Sequence, residues 1–297
     1  HQFKTGLSFQ YDGFGEALDS LQFDRNEIAP GAFFEYTYEP GERFTAVAGL
    51  RADHHNLFGL FFTPRLHLRY ALNELTVLRA SAGRGQRTAG ILAEHTGALA
   101  SARAFVIEGM RPDYPYGLEP EVAWNFGLNL TQGFQLFQRA AVLSADAYHT
   151  RFQNQVVVDY DLDPQQLRFY NLDGSSVSNS LQIQLDMEVV ERLDLRLAYR
   201  FNDVRTDYRQ GRREKPFVAR HRAFFNAAYE TANAWKFDGT LNWQGPQRIP
   251  DTDANPPAYQ LPARSPGFFL VNAQVSKAWG ERFELYVGAE NLLNFRQ

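Results

Sequence analysis

Residues 181–188, Leu-Gln-Ile-Gln-Leu-Asp-Met-Glu, and 193–202, Leu-Asp-Leu-Arg-Leu-Ala-Tyr-Arg-Phe-Asn, decide the fold of this chain. Leu181, Ile183, Leu185 and Met187 share one parity, against Gln182, Gln184, Asp186 and Glu188. Leu193, Leu195, Leu197, Tyr199 and Phe201 repeat the pattern against Asp194, Arg196, Ala198, Arg200 and Asn202. A period of two means a strand with one apolar and one polar face. Only Val189 to Arg192 separate the two runs, so they read as an antiparallel hairpin.

The same period recurs along the whole chain and predicts thirteen strands. They fall at 3–14, 29–39, 43–53, 61–71, 75–84, 119–130, 134–149, 170–187, 193–204, 219–230, 235–245, 267–278 and 283–292. Tight turns follow every second strand, centred on Glu39 to Glu42, Leu72 to Glu74, Thr131 to Gly133, Val189 to Arg192, Thr231 to Ala234, and Gly280-Glu281. Gly, Pro and Asn supply the backbone conformations such turns need. The other connections are long, with 85–118 and 246–266 the longest. Turns on one rim and long loops on the other mark a membrane barrel, and strands of about ten residues, tilted, suffice to cross a bilayer.

Side-chain chemistry agrees. Val122, Trp124, Phe126, Leu128 and Leu130 oppose Glu121, Ala123, Asn125, Gly127 and Asn129. Trp235 and Trp243 stand at opposite ends of one strand, where two aromatic girdles would lie. The competing reading is a soluble sandwich, in which the apolar rows pack on a second sheet. Strand length and the regular alternation of loop lengths favour lipid.

Composition narrows the function. A formal charge of −4 over 297 residues leaves no broad basic surface for nucleic acid. The absence of cysteine excludes disulfides, zinc-thiolate sites and cysteine catalysis. No run of eighteen apolar residues marks a transmembrane helix, and this says nothing against a barrel. The 25 Phe, 14 Tyr and 4 Trp suit strands and water–lipid interfaces alike. No signal peptide stands at His1, and thirteen is an odd number where bacterial single-chain barrels are even. Residues 1–297 are therefore expected to be one part of a longer protein.

Three stretches carry a family resemblance. Residues 78–88, Leu-Arg-Ala-Ser-Ala-Gly-Arg-Gly-Gln-Arg-Thr, resemble a strand-to-loop passage of TonB-dependent outer-membrane receptors, with Gln86 where that pattern has an aromatic. Residues 118–127, Leu-Glu-Pro-Glu-Val-Ala-Trp-Asn-Phe-Gly, resemble a strand entry of the same receptors. Residues 286–294, Tyr-Val-Gly-Ala-Glu-Asn-Leu-Leu-Asn, are similar to their penultimate-strand signature. Residues 81–103 most resemble receptors of Bacteroidetes-type bacteria.

The resemblance implies an all-β, antiparallel up-and-down transmembrane barrel of roughly 22 strands with a plugged lumen, of which this chain is a part. These strands would be the ninth to the twenty-first, with the plug, the early strands and the last strand outside the chain. It implies residence in the Gram-negative outer membrane and uptake of a scarce nutrient: a siderophore, haem, cobalamin or an oligosaccharide. The TonB complex would be the partner, engaged through an N-terminal segment not in this sequence. No cofactor, metal or chemical catalysis is implied.

Residues 85–118 form the best ligand-catching loop, with Arg84, Arg87, Arg103, Arg111, Tyr114 and Tyr116 as candidates. Guanidinium groups hold carboxylate, catecholate or phosphate in fixed geometry, and tyrosines give flat apolar area with a polar tip. Against that stands packing of the loop, or pairing with Glu94, Glu108 and Asp113. Arg65, Arg69, Arg79, Arg196 and Arg200 would form a lumen ladder paired with acids. His54-His55 is adjacent on the chain and so splays apart, which favours an exposed loop pair over a metal site. Asp251 to Asn255 has alternate oxygen donors, but lacks the Gly and distal Glu of a calcium loop and reads as a solvated loop. An enzyme would need more than the nearby Ser144, Asp146 and His149, and no Gly-x-Ser-x-Gly occurs. A plugless outer-membrane porin and a soluble β-sandwich binding domain also accommodate the strand pattern.

Overall fold

The computed structural model describes residues 1–18 and 21–296. In chain order its strands begin with β1 (Gln2–Leu18), β2 (Leu21–Gly41), β3 (Phe44–His55), β4 (Gly59–Ala71), β5 (Thr76–Arg87) and β6 (Ala104–Ile107). There follow β7 (Glu121–Leu136), β8 (Arg139–Asn154), β9 (Val156–Asp159), β10 (Gln166–Asn171), β11 (Ser176–Val190) and β12 (Leu193–Tyr208). The last are β13 (Gly211–Glu214), β14 (His221–Glu230), β15 (Trp235–Gln244), β16 (Phe268–Trp279) and β17 (Phe283–Ala289). One short helix, α1 (Ile91–Glu94), lies in the loop after β5.

Thirteen of these strands form one open wall in the order β1-β2-β3-β4-β5-β7-β8-β11-β12-β14-β15-β16-β17, each antiparallel to the next. β13 folds back on the end of β12. Register carries one parity straight across the wall. Phe44, Tyr70, Leu78, Leu130, Ala145, Ile183, Tyr199, Ala223, Trp243 and Phe269 face one another in sequence from β3 to β16. That row is apolar at every position. The row beside it, Thr45, Arg69, Arg79, Asn129, Asp146, Gln182, Arg200, Arg222 and Gln244, is polar at every position. The first row starts beside a short turn at Phe44 and ends beside a long loop at Trp243. The strands are therefore inclined to the row, as closure into a barrel requires.

The apolar face is bare. Phe3, Leu7, Phe34, Leu128, Leu181 and Leu197 are all exposed. Aromatics gather at both ends of it: Tyr36, Tyr38, Tyr70, Trp235 and Trp279 near the short turns, Phe62, Trp124 and Trp243 toward the long loops. From Leu193 to Phe201 the strand covers roughly 27 Å at about 3.4 Å per residue, close to the apolar band of a membrane barrel.

Three features differ from the sequence-based expectation. The strand expected at 170–187 begins at Ser176, because Gln166–Asn171 joins a separate three-stranded sheet, β6-β10-β9, above the rim. The turn expected at Thr131 to Gly133 lies at Phe137-Gln138, with φ of 51° and 63°. Gly133 is instead a strand residue lying against Leu75, whose Cδ2 would sit 3.2 Å from an added Cβ. Two consecutive residues with positive φ make the hairpin turn that fits strand twist, and neither residue type signals it. On the long-loop rim, β3 and β4 are joined by residues 56–58 alone, and β1 pairs with β2 along its full length, so 15–18 and 21–28 are strand where a loop was expected.

Loops 88–120 and 155–175 fold together into a cap. Ile91, Leu118, Val156, Leu167 and Phe169 are its buried core, with the Phe105 and His95 rings tilted against Phe169. Ion pairs then bind the cap to neighbouring loops. Asp161, almost wholly buried, accepts from Arg248 Nη1 and Nη2 at 3.0 and 2.8 Å, and also from the Asp251 backbone N–H at 2.8 Å. Arg213 approaches it to 3.8 Å.

A non-glycine residue in the left-handed region costs roughly 1–2 kcal/mol. Gln138→Gly is accordingly expected to raise the urea midpoint of the protein refolded in detergent. An unchanged or lower midpoint would show that the Phe137-Gln138 turn carries no such cost.

Candidate functional site

The polar face of β1 to β5 holds a cavity of about 530 Å³ at the long-loop rim, bordered on one side by α1. Strand parity places its lining. Gln10, Asp12 and Phe14 come from β1, Arg25 and Glu27 from β2, Arg51, Asp53 and His55 from β3, Phe61 and Thr63 from β4, and Arg87 from β5. Gly90, Ala93 and Glu94 close the side toward the cap.

Glycine makes room for the acids and bases here. An added Cβ at Gly31 would lie 1.9 Å from Asp53 Oδ1, so the carboxylate occupies space that any other residue would fill. Asp53 in turn receives Arg51 Nε at 2.6 Å and Nη2 at 2.7 Å, while Nη2 also reaches Ser8 Oγ at 3.0 Å. Arg25, nearly buried, pairs with Glu16 at 2.7 Å and Glu27 at 2.8 Å, its guanidinium lying 4.0 Å from the centre of the Phe14 ring. Glu27 also accepts from Thr88 at 3.1 Å and contacts His55 Nε2 at 3.3 Å. Arg87 holds Glu94 through two bonds of 2.7 and 2.8 Å and donates from Nε to Glu121 at 2.8 Å.

Each of the three guanidiniums is thus already neutralised. Asp12, Glu27, Asp53 and Glu94 line the cavity against Arg25, Arg51 and Arg87, and Glu16 and Glu121 stand behind. The site carries an excess of carboxylate. Burial would push the Glu94 carboxyl up, yet the hydrogen bonds from Arg87 and the Gly90 N–H outweigh it and hold the group below its ordinary range.

The six loop candidates divide. Arg87 lines the cavity. Tyr116 is buried beside it, donating to Glu16 and receiving Arg25 Nη1 at 3.1 Å, with Phe23 at 4.7 Å between ring centres. Burial and the Glu16 carboxylate push its phenol up to about 12. Tyr114 is one ring removed from the lining, edge-on to Phe58, and Arg111 lies 5.3 Å from the Tyr114 ring centre and 3.6 Å from Glu119. Arg103 is on the far side of the cap, bonded to the Tyr160 carbonyl at 2.9 Å. Arg84 stands on the opposite face of the wall, in the parity of Leu78, Ala80 and Ala82, bonded to the Phe62 carbonyl and to Gln86 and Gln153.

The remaining expectations also find places. His54 and His55 point to opposite faces at the end of β3, and His55 is buried between Phe58 and Phe61 rather than exposed in a loop. The ladder arginines pair in part within the wall, Arg65 with Glu35 and Arg196 with Asp186, both at 2.5 Å, and Arg79 with Asn129 at 3.0 Å. The Asp251 carboxylate accepts the Asp253 N–H at 2.9 Å as a local turn. Sequence reasoning missed Arg25, Glu27 and Glu16, which it assigned to a loop. It also passed over Arg51 and Asp53, although their parity with Gly49 on one strand pointed them inward.

The family model for TonB-dependent receptor-like β-barrels matches residues 1–292. The chain belongs to this family. No curated protein matches it. Among solved structures, this receptor barrel is similar to a mutant ferric enterobactin receptor, PfeA, of Pseudomonas aeruginosa. Identity is 15% and the TM-score 0.66, over 92% of this chain and 40% of that one. It is also similar to the ferric-catecholate import receptor Fiu of Escherichia coli K12, with 12% identity, TM-score 0.66, and 99% and 47% coverage. FpvA of P. aeruginosa, bound to a heterologous pyoverdine, matches at 14% identity and TM-score 0.66 over 93% and 36%. At these identities the likeness is one of fold, and the chain spans less than half the length of each structure.

Gly31→Val should displace Asp53, free Arg51 and cost about 1–3 kcal/mol through overpacking, read as a lower unfolding midpoint in detergent. A midpoint within error of the unsubstituted protein would show that Asp53 is not seated by Gly31. The cap should respond to acid. Arg209, against an opposing effect of burial, holds Glu108 low, and at Asp161 burial is outweighed by Arg248 and the Asp251 N–H. Depressed carboxyls contribute stability above their ordinary values near 4 and lose it as pH falls through the depressed ones. Protease nicking of 88–120 and 155–175 should therefore rise below about pH 4. Arg248→Met, which leaves the buried Asp161 with only the more distant Arg213 as a cation, should cost about 3 kcal/mol and bring that nicking to neutral pH. A cap equally resistant with and without Arg248 would show that the pair does not hold the loops.

Proposed function

We propose that this chain is part of an outer-membrane receptor that captures a scarce nutrient at its long-loop rim and imports it with energy transmitted by TonB. The supporting observation is the 530 Å³ cavity on the polar face, flanked by a folded cap and backed by a wall whose other face suits lipid. Transport rather than chemical conversion suits it: Arg25, Arg51 and Arg87 are each engaged in ion pairs with carboxylates of the site. Arg87, Tyr116, Tyr114 and Arg111 are the side chains through which the cap would sense a ligand.

The ligand in this reading is a siderophore, haem, cobalamin or an oligosaccharide. The family's solved neighbours include receptors named for ferric enterobactin and ferric catecholates, which puts a siderophore first. An acidic chelate would have to draw Arg87 away from Glu94, so binding and movement of α1 would be one event. A neutral, hydroxyl-rich ligand would leave that pair intact.

The test uses the full-length receptor in a Gram-negative host. Purified protein is screened against ferric siderophores, haem, cobalamin and oligosaccharides, and uptake of the ligand that binds is followed with and without TonB. Binding should persist without TonB while uptake stops, and Arg87→Ala should weaken binding about tenfold, the scale of one charge-assisted bond. Equal uptake in both hosts would make the protein a passive pore, and failure of every ligand to bind would remove the receptor reading.

A further inference from the structure

The lipid-side face changes character along a single line near the long-loop rim. Arg84, Trp124, Arg151, Val177 and Arg205 face one another directly across β5, β7, β8, β11 and β12. One row toward the short turns, the sequence becomes Ala82, Phe126, His149, Asn179 and Asp203. One row further it is apolar throughout: Ala80, Leu128, Ala147, Leu181 and Phe201. Over this short stretch of the strands, the face passes from hydrocarbon-compatible to cationic.

The cations of that line are not equal. Arg205 is answered by Asp203 at 2.9 Å. Arg84 donates only to uncharged oxygens: the Phe62 carbonyl, Gln86 and Gln153. Arg151 is exposed, and no carboxylate among the described residues pairs with it. Two uncompensated guanidiniums therefore flank Trp124 on strands about 10 Å apart, two strand spacings of about 4.8 Å.

Beneath them is a groove of about 700 Å³, its floor made of Ala80, Ala82 and Ala147 and its walls of Leu66, Leu128 and Leu181. Alanines at three positions of a face otherwise bearing Leu and Phe leave a channel along the strands. At its upper end His149 Nδ1 and Asn179 Oδ1 meet at 2.7 Å, so the boundary row is polar yet self-bonded. The groove suits acyl chains, and the charge above it is positive and unanswered.

We propose that this strip seats a phosphorylated lipid of the outer leaflet, with acyl chains in the alanine groove and phosphate on Arg84 and Arg151. The inference rests on the reading that the apolar face meets lipid. It assigns Arg84 to lipid rather than to the imported ligand. Guanidinium nitrogens match phosphate oxygens in a fixed geometry, and the bond strengthens where lipid lowers the local dielectric.

The experiment uses full-length protein in detergent, titrated with bisphosphorylated lipid A and, separately, with lipid A stripped of both phosphates but carrying the same chains. Bound lipid is counted by native mass spectrometry, and heat-modifiable migration on gels confirms a folded barrel. The phosphorylated form should bind about tenfold tighter, a preference expected for two cationic contacts, and the preference should shrink with added salt. Arg84→Gln with Arg151→Gln should abolish the preference, the paired lysine variant should keep much of it, and Ala147→Leu should weaken both lipids alike by filling the groove. Equal binding of the two lipids, or a preference unchanged in the glutamine pair, overturns the proposal while the membrane reading stands. A protein that stays soluble without detergent and takes up neither lipid overturns both.

Discussion

Hydrocarbon offers no partner to a peptide N–H or C=O, so each strand that enters it depends on its two neighbours for every backbone bond. This requirement fixes register across the wall, and register fixes everything else. Once the apolar positions from Phe44 to Phe269 fall in one row, the adjacent row from Thr45 to Gln244 must point the other way. A slip of one residue in any strand would put Arg79 or Asp146 into lipid and Leu78 or Ala145 into water. A single set of bonds thereby decides most of the side-chain placement in the wall.

The polar face uses that placement to build chemistry without a buried core. Arg25, Arg51 and Arg87 stand on three strands toward the long-loop rim, each held by carboxylates from its own strand, a neighbour or the cap. Gly31 supplies the space in which Asp53 lies flat against the sheet. All three guanidiniums are engaged, so an incoming anion competes with existing partners rather than meeting bare positive charge. Selectivity in such a site comes from which pair a ligand is able to break.

Much of this was legible in the sequence. The period of two in 181–188 and 193–202 specified strands, faces and neighbours, and the thirteen wall strands are those it indicated. What escaped has physical causes. Phe137-Gln138 adopts a turn that neither residue favours, because the flanking alternation demands it there. Residues 156–159 and 166–171 are too short to show periodicity, and the second of them pairs with residues 104–107, far away along the chain. The candidate loop was placed correctly on the rim, but Arg84 was grouped with it by proximity in sequence, when its parity with Leu78 and Ala82 set it on the other face. The inward charges Glu16, Arg25 and Glu27 were hidden because strand was taken for loop.

Rim loops of a barrel ordinarily change length and composition one at a time, since each closes on its own pair of strands. Here Asp161 of one loop accepts from Arg248 and the Asp251 backbone of a second and stands near Arg213 of a third. Shortening any one of them strands an ionised group inside the other two. The three loops form a single heritable unit: lineages that acquire a new ligand by altering this rim must rewrite all three together, or first replace the acid at position 161.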